Sequence, residues 1–309
     1  MPGTENRLML LDTASLYFRA FFGVPESIKA PDGSPVNAVR GLLDFIARLT
    51  TDRRPARLVA CLDADWRPAF RVALLPSYKA HRLANAARNI EEVPAALEAQ
   101  LPIIFDVLTA LGIAHFGVKG FEADDVIGTL ASADPGPVDV VTGDRDLFQL
   151  VDDERGVRIL YTARGVGRHE VVDETVVATK YGIPGRSYAD FATLRGDPSD
   201  GLPGVAGVGD KTAGTLITRF GGIDGLLAAV DDPAADLSPT LRRKIADARD
   251  YLAVAPDVVK VRQDVPLPEY DDTLPTAPAD PEALVELASR WGLDSSLNRV
   301  LNAFSPAPA

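Results

Sequence analysis

Residues 7–12 read RLMLLD, four apolar side chains in a row between an arginine and an aspartate. A short run of that kind has the length and composition of a strand buried on both faces. The same form recurs at 57–63, RLVACLD, and at 138–144, VDVVTGD. Each run ends on an acid: Asp12, Asp63 and Asp144. Apolar runs at 113–118 and 157–161 read as further strands, and helical periods fill the gaps at about 36–51, 91–111 and 123–132. Strands alternating with helices predict an α/β fold, a mainly parallel central sheet flanked by helices. In such sheets ligands bind beyond the carboxyl ends of the strands. That is where the three aspartates would gather.

More acids follow in short clusters. FEADD supplies Glu122, Asp124 and Asp125, TGDRD adds Asp146 to Asp144, and RGDPSD supplies Asp197 and Asp200. So many negative charges in one crevice are unfavourable unless cations neutralise them. An oxygen-only donor set, with no Cys or His nearby in sequence, points to Mg²⁺ or Mn²⁺, and metal-assisted phosphoryl chemistry is the natural use of such a site. Each cluster also has a plainer reading. Acids in a first helical turn suit the helix dipole, and TGDRD fits an Asx turn with a helix cap. The pair Asp63 and Asp65 in LDADW raises a rival, a phosphatase of the haloacid dehalogenase type with Asp63 as nucleophile. That family carries Thr or Val two residues after its second Asp, where this chain has Arg67. It also has little use for RGDPSD and what comes next.

What comes next is GLPGVAGVGDKTAG, residues 201–214. Gly204, Gly207 and Gly209 permit tight turns with N–H groups facing outward, and a helix is expected to begin near Asp210 with Lys211 and Thr212 in its first turn. Helix N-termini and exposed amides bind phosphate without reading sequence. An ordinary glycine-rich turn has the same composition. Arg67, Arg71, Lys79, Arg82 and Arg88 form a basic cluster, which a solvated helix face would equally explain. The stretch 66–93 around them, with Pro68 and Pro76, reads as loops and helix over the sheet edge. From about 173 the pattern is helical, with candidates at 173–182, 187–195, 210–219, 222–230, 238–248 and 281–290. Residues 263–281, with five prolines, read as a wandering surface connection, and the tail FSPAPA as frayed.

Composition sets outer limits. The chain has 309 residues, 46% hydrophobic and 25% charged, and a formal charge of -12. That charge argues against binding nucleic acid by bulk attraction. No apolar run approaches the roughly 20 residues that span a bilayer, and the N-terminus lacks the form of a signal peptide. The single cysteine, Cys61, falls inside a predicted strand and is expected to be buried and unpaired. A cytoplasmic location, with work at the nucleoid, is the expectation.

The motifs LLDTASLYFRAFF, LVACLDADWRPAFR, LPSYKAHR, GFEADDVIGTLA, VVTGDRDLFQLV and RGDPSDGLPGVAGVGDKTA run in this order along residues 10–213. Together they resemble the 5′-nucleases of the bacterial flap endonuclease family, similar to the 5′-nuclease domain of DNA polymerase I. ELASRWGLDSSLNRVL, near the end, resembles that family's last helices. The resemblance implies a PIN-like nuclease core over residues 1–172 with a helical arch at about 66–93. It also implies a helical DNA-binding region over 173–309, with a helix–three-turn–helix at about 186–220. By the same match Asp12, Asp63, Glu122, Asp124, Asp125, Asp144, Asp146, Asp197 and Asp200 are metal-binding acids. Lys79 and Arg82 contact the scissile phosphate, and Arg19 lies near the active site. Main-chain carbonyls around Leu194, Arg195, Pro203, Val205 and Val208 hold K⁺, while Gly204, Gly207, Gly209, Lys211 and Thr212 meet the DNA backbone. The family often has Asn in its SDN-I-PGV run; here Gly201 and Leu202 stand there, which is expected to loosen the cation loop slightly. The implied activity is two-metal hydrolysis of branched or nicked duplex DNA at a 5′ flap or 5′ end, leaving 5′-phosphate and 3′-hydroxyl, by a freestanding monomer. A catalytically silent DNA-junction binder is the remaining alternative.

Overall fold

The computed structural model describes residues 6–85 and 90–305. Arg88 of the basic cluster, residues 86–89 of the arch and the last four residues of the tail lie outside these. The strands are β1 (Leu8–Asp12), β2 (Arg57–Cys61), β3 (Leu83–Asn85), β4 (Ile90–Glu91), β5 (Ala114–Phe116), β6 (Val138–Thr142), β7 (Val157–Tyr161) and β8 (Glu170–Val172). Six of them form one sheet in the order β5-β2-β1-β6-β7-β8. All its pairings are parallel except β7 with β8. The five strands expected from the sequence are therefore present. The sixth, β8, is short and carries no apolar run to announce it.

Helices cover both faces. The first eight are α1 (Thr13–Gly23), α2 (Asn37–Arg53), α3 (Ala69–Leu74), α4 (Ala95–Glu98), α5 (Leu101–Leu111), α6 (Ala123–Ala133), α7 (Glu174–Tyr181) and α8 (Tyr188–Arg195). The rest are α9 (Asp210–Phe220), α10 (Ile223–Asp231), α11 (Pro239–Asp247), α12 (Arg249–Leu252), α13 (Ala255–Val259), α14 (Pro281–Trp291) and α15 (Asp294–Phe304). The period of two along the strands divides the apolar residues between two cores. Leu8, Leu10, Val59, Cys61, Val138 and Val140 face α6 and the helices from α8 to α13. Met9, Leu11, Leu58, Ala60 and Val141 face α2, α5, α14 and α15. Cys61 is free and fully buried.

Three local differences from the sequence reading have clear causes. The expected helix over 91–111 is split: Pro94 and Pro102 leave α4 as one turn and start α5 afresh. The arch stretch is not continuously helical. It holds α3, a 3₁₀ turn over Ala80–Arg82 and the antiparallel ribbon β3–β4, because Pro68 and Pro76 confine α3 and few apolar side chains are left to bury a second helix. Residues 263–281 do not wander freely. They lie against the start of β2, where the Leu58 N–H donates to Asp272 O at 2.7 Å and the Leu274 N–H to Ala56 O at 2.9 Å. The strap delivers α14 to α5 and α15 to α2. Asp139, an acid inside β6, is fully buried and accepts hydrogen bonds from Arg7 at 2.8 Å and Arg53 at 2.9 Å. No single helix among the described residues is long and apolar enough to cross a membrane.

Candidate active site

The chain lays down β1, β2 and β5 to one side and then crosses back to place β6 on the other side of β1. Such a reversal opens a crevice at the carboxyl ends of the two strands that part there. Asp12 ends β1 and caps α1. Its Oδ1 accepts the Ser15 N–H at 3.1 Å and its Oδ2 accepts the Thr142 hydroxyl at 2.7 Å. Asp63 follows β2 and accepts the Ala123 N–H at 2.7 Å, which fixes the start of α6. Asp144 follows β6 and accepts the Asp146 N–H at 2.9 Å. Asp197 and Asp200 sit on the turn after α8, closed by reciprocal backbone bonds between Asp197 and Leu202, each 2.9 Å.

These elements surround a cavity of about 390 Å³ whose wall includes Asp12, Asp63, Glu122, Asp124, Asp144 and Asp197, together with Lys79 and Arg82. Three of the acids named from the sequence are not in that wall. Asp200 turns to Arg82 at 2.8 Å, Asp146 is buried with its N–H on Asp144 Oδ1 at 2.9 Å, and Asp125 is buried in the first turn of α6. Arg19 lines an adjoining groove with Arg164, Arg168 and Phe22 and donates to Ala163 O at 3.3 Å. Ser15 and Phe18 belong to both walls, so the groove is continuous with the cavity.

Several of the carboxylates are held in an unfavourable state. Burial, with Asp63 and Asp144 adding against the Thr142 bond, pushes Asp12 up to about 7. Burial and the neighbouring acids likewise raise Asp124, Asp144 and Asp146 above the usual carboxylate range. Asp146 Oδ1 is buried and accepts no hydrogen bond from the described residues. Hard oxygen donors, mutual repulsion and an orphaned carboxylate oxygen fit divalent cations. In the side-chain positions described, no three of these groups converge on one ion position. Basic residues take several of them instead. Lys79 bonds to Glu122, Arg71 to Glu122 at 2.5 Å and Arg195 to Asp197 at 3.4 Å.

The arch stretch is seated on this site. The Lys79 N–H donates to Asp200 O at 2.9 Å, the Ser77 hydroxyl to Gly201 O at 3.0 Å and Arg82 to Ser199 O at 2.7 Å. Gly201 has a φ of 73°, and a Cβ there would lie 2.2 Å from Ser77 O. Glycine at this position therefore lets the arch base close onto the RGDPSD turn.

Beyond that turn, residues 196–209 join α8 to α9 as a compact hairpin. Gly204 has a φ of 65°, and a Cβ on it would sit 2.5 Å from Arg195 O. Of the carbonyls named for K⁺, that of Leu194 accepts the Val205 N–H and that of Val205 accepts the Val208 N–H, both at 2.9 Å. Pro203 lies between them in the same hairpin. Gly207, Gly209 and Lys211 are exposed and Thr212 is half-buried. Lys211 shares a shallow groove with Lys180 and Arg219.

Several residues of the site were not legible as such. Glu91 lines the cavity from β4, far from any acid cluster, and no sequence signal marks it. Tyr78, inside the YKAHR motif, donates its hydroxyl to Glu122 at 2.8 Å. Arg67 and Arg71 do not form a solvated helix face. Both are buried, Arg67 on Tyr78 O at 2.5 Å and Arg71 on Glu122 and Asp125. An Arg spaced seven residues before Tyr78 was visible in the sequence, but its buried partners were not.

Comparison with known proteins agrees with this architecture. Residues 7–182 match the 5′-3′ exonuclease N-terminal resolvase-like domain, and residues 183–282 match the 5′-3′ exonuclease C-terminal SAM fold. The chain is 62% identical to a 5′-3′ exonuclease of Streptomyces coelicolor over 96% of its own length and 100% of that protein. It is 51% identical to a 5′-3′ exonuclease of Mycobacterium tuberculosis, over 98% and 99%. It is 40% identical to DNA polymerase I of Mycobacterium bovis over 88% of this chain but 29% of that one. Among solved structures, the flap endonuclease of bacteriophage T5, in a complex with DNA and metal ions, superposes with a TM-score of 0.62 at 18% identity, over 97% and 99% of the two chains. That likeness shows the fold. With two family domains spanning most of its length and near full-length relatives, the chain belongs to the 5′-3′ exonuclease family.

Proposed function

We propose that this protein is a divalent-metal-dependent, structure-specific 5′ nuclease that hydrolyses DNA phosphodiesters at 5′ ends and 5′ flaps. The observation that carries the reading is the acid cavity at the sheet's switch point with Lys79 and Arg82 on its rim. Asp12, Asp63, Glu122, Asp124, Asp144 and Asp197 would hold the cations, Mg²⁺ or Mn²⁺, with Asp146 and Asp200 supporting from behind. The cations, when bound, supply Lewis acidity at the phosphate. Lys79 and Arg82 supply fixed positive charge where the phosphate becomes more negative. Arg19 places a further cation beside the entry groove. Residues 1–172 carry most of the chemistry, joined by Asp197 and Asp200 from the turn after α8, and the hairpin within 173–309 holds duplex backbone, with K⁺ against its carbonyls. The protein works as a monomer on nicked or branched duplex DNA in replication and repair.

The direct test is an end-labelled 5′-flap duplex incubated with the protein and Mg²⁺ or Mn²⁺. Cuts at the junction and at the 5′ end, with 5′-phosphate products, are expected. Release of phosphate from small esters, with no cutting of DNA, would favour the phosphatase. Tight flap binding with no cuts in either metal would favour the silent binder. In the same assay Lys211→Ala is expected to weaken duplex binding and reduce the log–log salt slope by about 1, as one lost phosphate contact should. An unchanged slope would make the glycine-rich hairpin a turn only.

Ion binding also has a stability signature. Asp12, Asp124, Asp144 and Asp146 are raised in the folded protein. Their contribution is full below the unfolded value near 4 and is lost as pH rises through the folded one, about 7 for Asp12. The ion-free protein therefore loses stability from these groups as pH rises above about 4, a loss that for Asp12 runs up to about 7. Cations that neutralise them offset the loss. Adding Mg²⁺ should raise the melting temperature more at pH 8 than at pH 5; equal increments would contradict ion binding by these acids.

A further inference from the structure

Asp125 is fully buried and does not reach the cavity wall. Its Oδ1 accepts hydrogen bonds from Arg71 Nη2 at 2.7 Å and from the Arg262 N–H at 2.9 Å. Its Oδ2 accepts from Arg71 Nη1 at 2.8 Å and from the Glu122 N–H at 3.2 Å. A carboxylate offers about four lone-pair sites, and the protein itself fills them all. Arg71 is equally committed. Besides its two bonds to Asp125, Nη1 donates to Glu122 Oε2 at 2.5 Å and Nε donates to Val258 O at 2.9 Å. One guanidinium thus ties α3, at the foot of the arch, to the first turn of α6 and to the end of α13.

Glu122 is the member of this group that lines the cavity. Its Oε2 takes Arg71 and the Tyr78 hydroxyl, while Oε1 faces Lys79. Its backbone is fixed by the reciprocal capping box with Asp125. Both its main chain and its carboxylate are therefore placed by the Arg71–Asp125 pair. We propose that Arg71 and Asp125 are positioning residues for Glu122, and that Asp125, although it stands in the FEADD cluster, ligates no ion. The inference rests on the metal-dependent reading above.

The test compares Asp124→Asn, Asp125→Asn and Arg71→Lys in the full chain. Mn²⁺ binding is measured without DNA by calorimetry and by spin resonance, alongside single-turnover flap cleavage, flap affinity and thermal melting. Asp124→Asn should lose bound Mn²⁺. Asp125→Asn and Arg71→Lys should keep the wild-type number of ions, with affinity or cleavage rate lowered about 10–100-fold, the usual effect of losing an outer-sphere partner, and flap affinity within about twofold of wild type. Loss of an ion in Asp125→Asn equal to that in Asp124→Asn would make Asp125 a ligand and overturn the proposal. Wild-type ion affinity and cleavage in Arg71→Lys would overturn it as well. If melting shows that Asp125→Asn does not fold, Arg71→Lys decides, since it keeps a buried cation beside both acids. A wild-type protein that binds no Mn²⁺ and cuts no flap would instead remove the metal-nuclease reading, and this inference with it.

Discussion

Replacing Asp124 by Asn is expected to lower single-turnover flap cleavage by more than about 10²-fold, beyond the 10–100-fold typical of an outer-sphere partner. Asp124 sits in the first turn of α6 and faces the cavity. Burial, and then the charges of Asp12 and Asp144, make its carboxylate costly to ionise. Carboxylates crowded in this way either keep a proton or gather round a cation, and the hard-oxygen donor set around Asp124 suits the cation. Asn keeps the shape and removes the charge. Folding should survive, because the change relieves repulsion instead of creating it. Flap affinity should hold or rise slightly, since one negative charge fewer faces the DNA phosphate. The decisive comparison is rate against affinity on one preparation. Cleavage within a few-fold of wild type at saturating Mg²⁺ would remove Asp124 from the ion site.

Replacing Lys79 and Arg82 together by Ala should reduce the single-turnover rate by about 10²-fold or more, the scale of losing a preorganised donor. Flap affinity should fall much less. Lys79 is held in place by its bond to Glu122 and by its N–H on Asp200 O at 2.9 Å. Arg82 is held by Ser199 O at 2.7 Å and Asp200 Oδ1 at 2.8 Å. These bonds aim both cations at the cavity before substrate arrives, so they act on charge that develops in the transition state. Glu122 keeps Arg71 and Tyr78 when Lys79 is lost, so the variant should fold. A normal rate with only weaker binding would make the two residues an electrostatic guide for DNA and no part of the chemistry.

Much of this was legible in the sequence because the strands are buried on both faces. RLMLLD, RLVACLD and VDVVTGD need no partner to identify them, and the acids that end them mark one edge of the sheet. What local pattern could not supply was the direction in which each acid points. Asp125 follows Asp124 by one residue, yet one is buried on Arg71 and the other faces the cavity. Asp139 and Asp144 belong to the same run, and Asp139 is spent on Arg7 and Arg53 at the opposite end of β6. Those fates depend on arginines 54 to 132 residues distant in sequence. The stretch 66–93 reads as loops and helix, with a helical arch implied by the resemblance; its described residues hold α3, a 3₁₀ turn and the β3–β4 ribbon, because prolines confine α3 and few apolar positions remain for a longer helix.

The return of the last two helices bears on how the chain is made. α15 packs along α2, and Leu297, Val300 and Phe304 share a core with Leu42, Leu43 and Ile46. A ribosome extrudes α2 more than two hundred residues before α15, by the numbering of Asn37 and Phe304. During that interval α2 can pack on α1 and α5, but the part of its apolar flank that α15 covers has no native partner. The part of this core that α2 and α15 share closes only once α15 has been made. Synthesis of α15 thus completes a core whose other wall, α2, was made near the start of the chain.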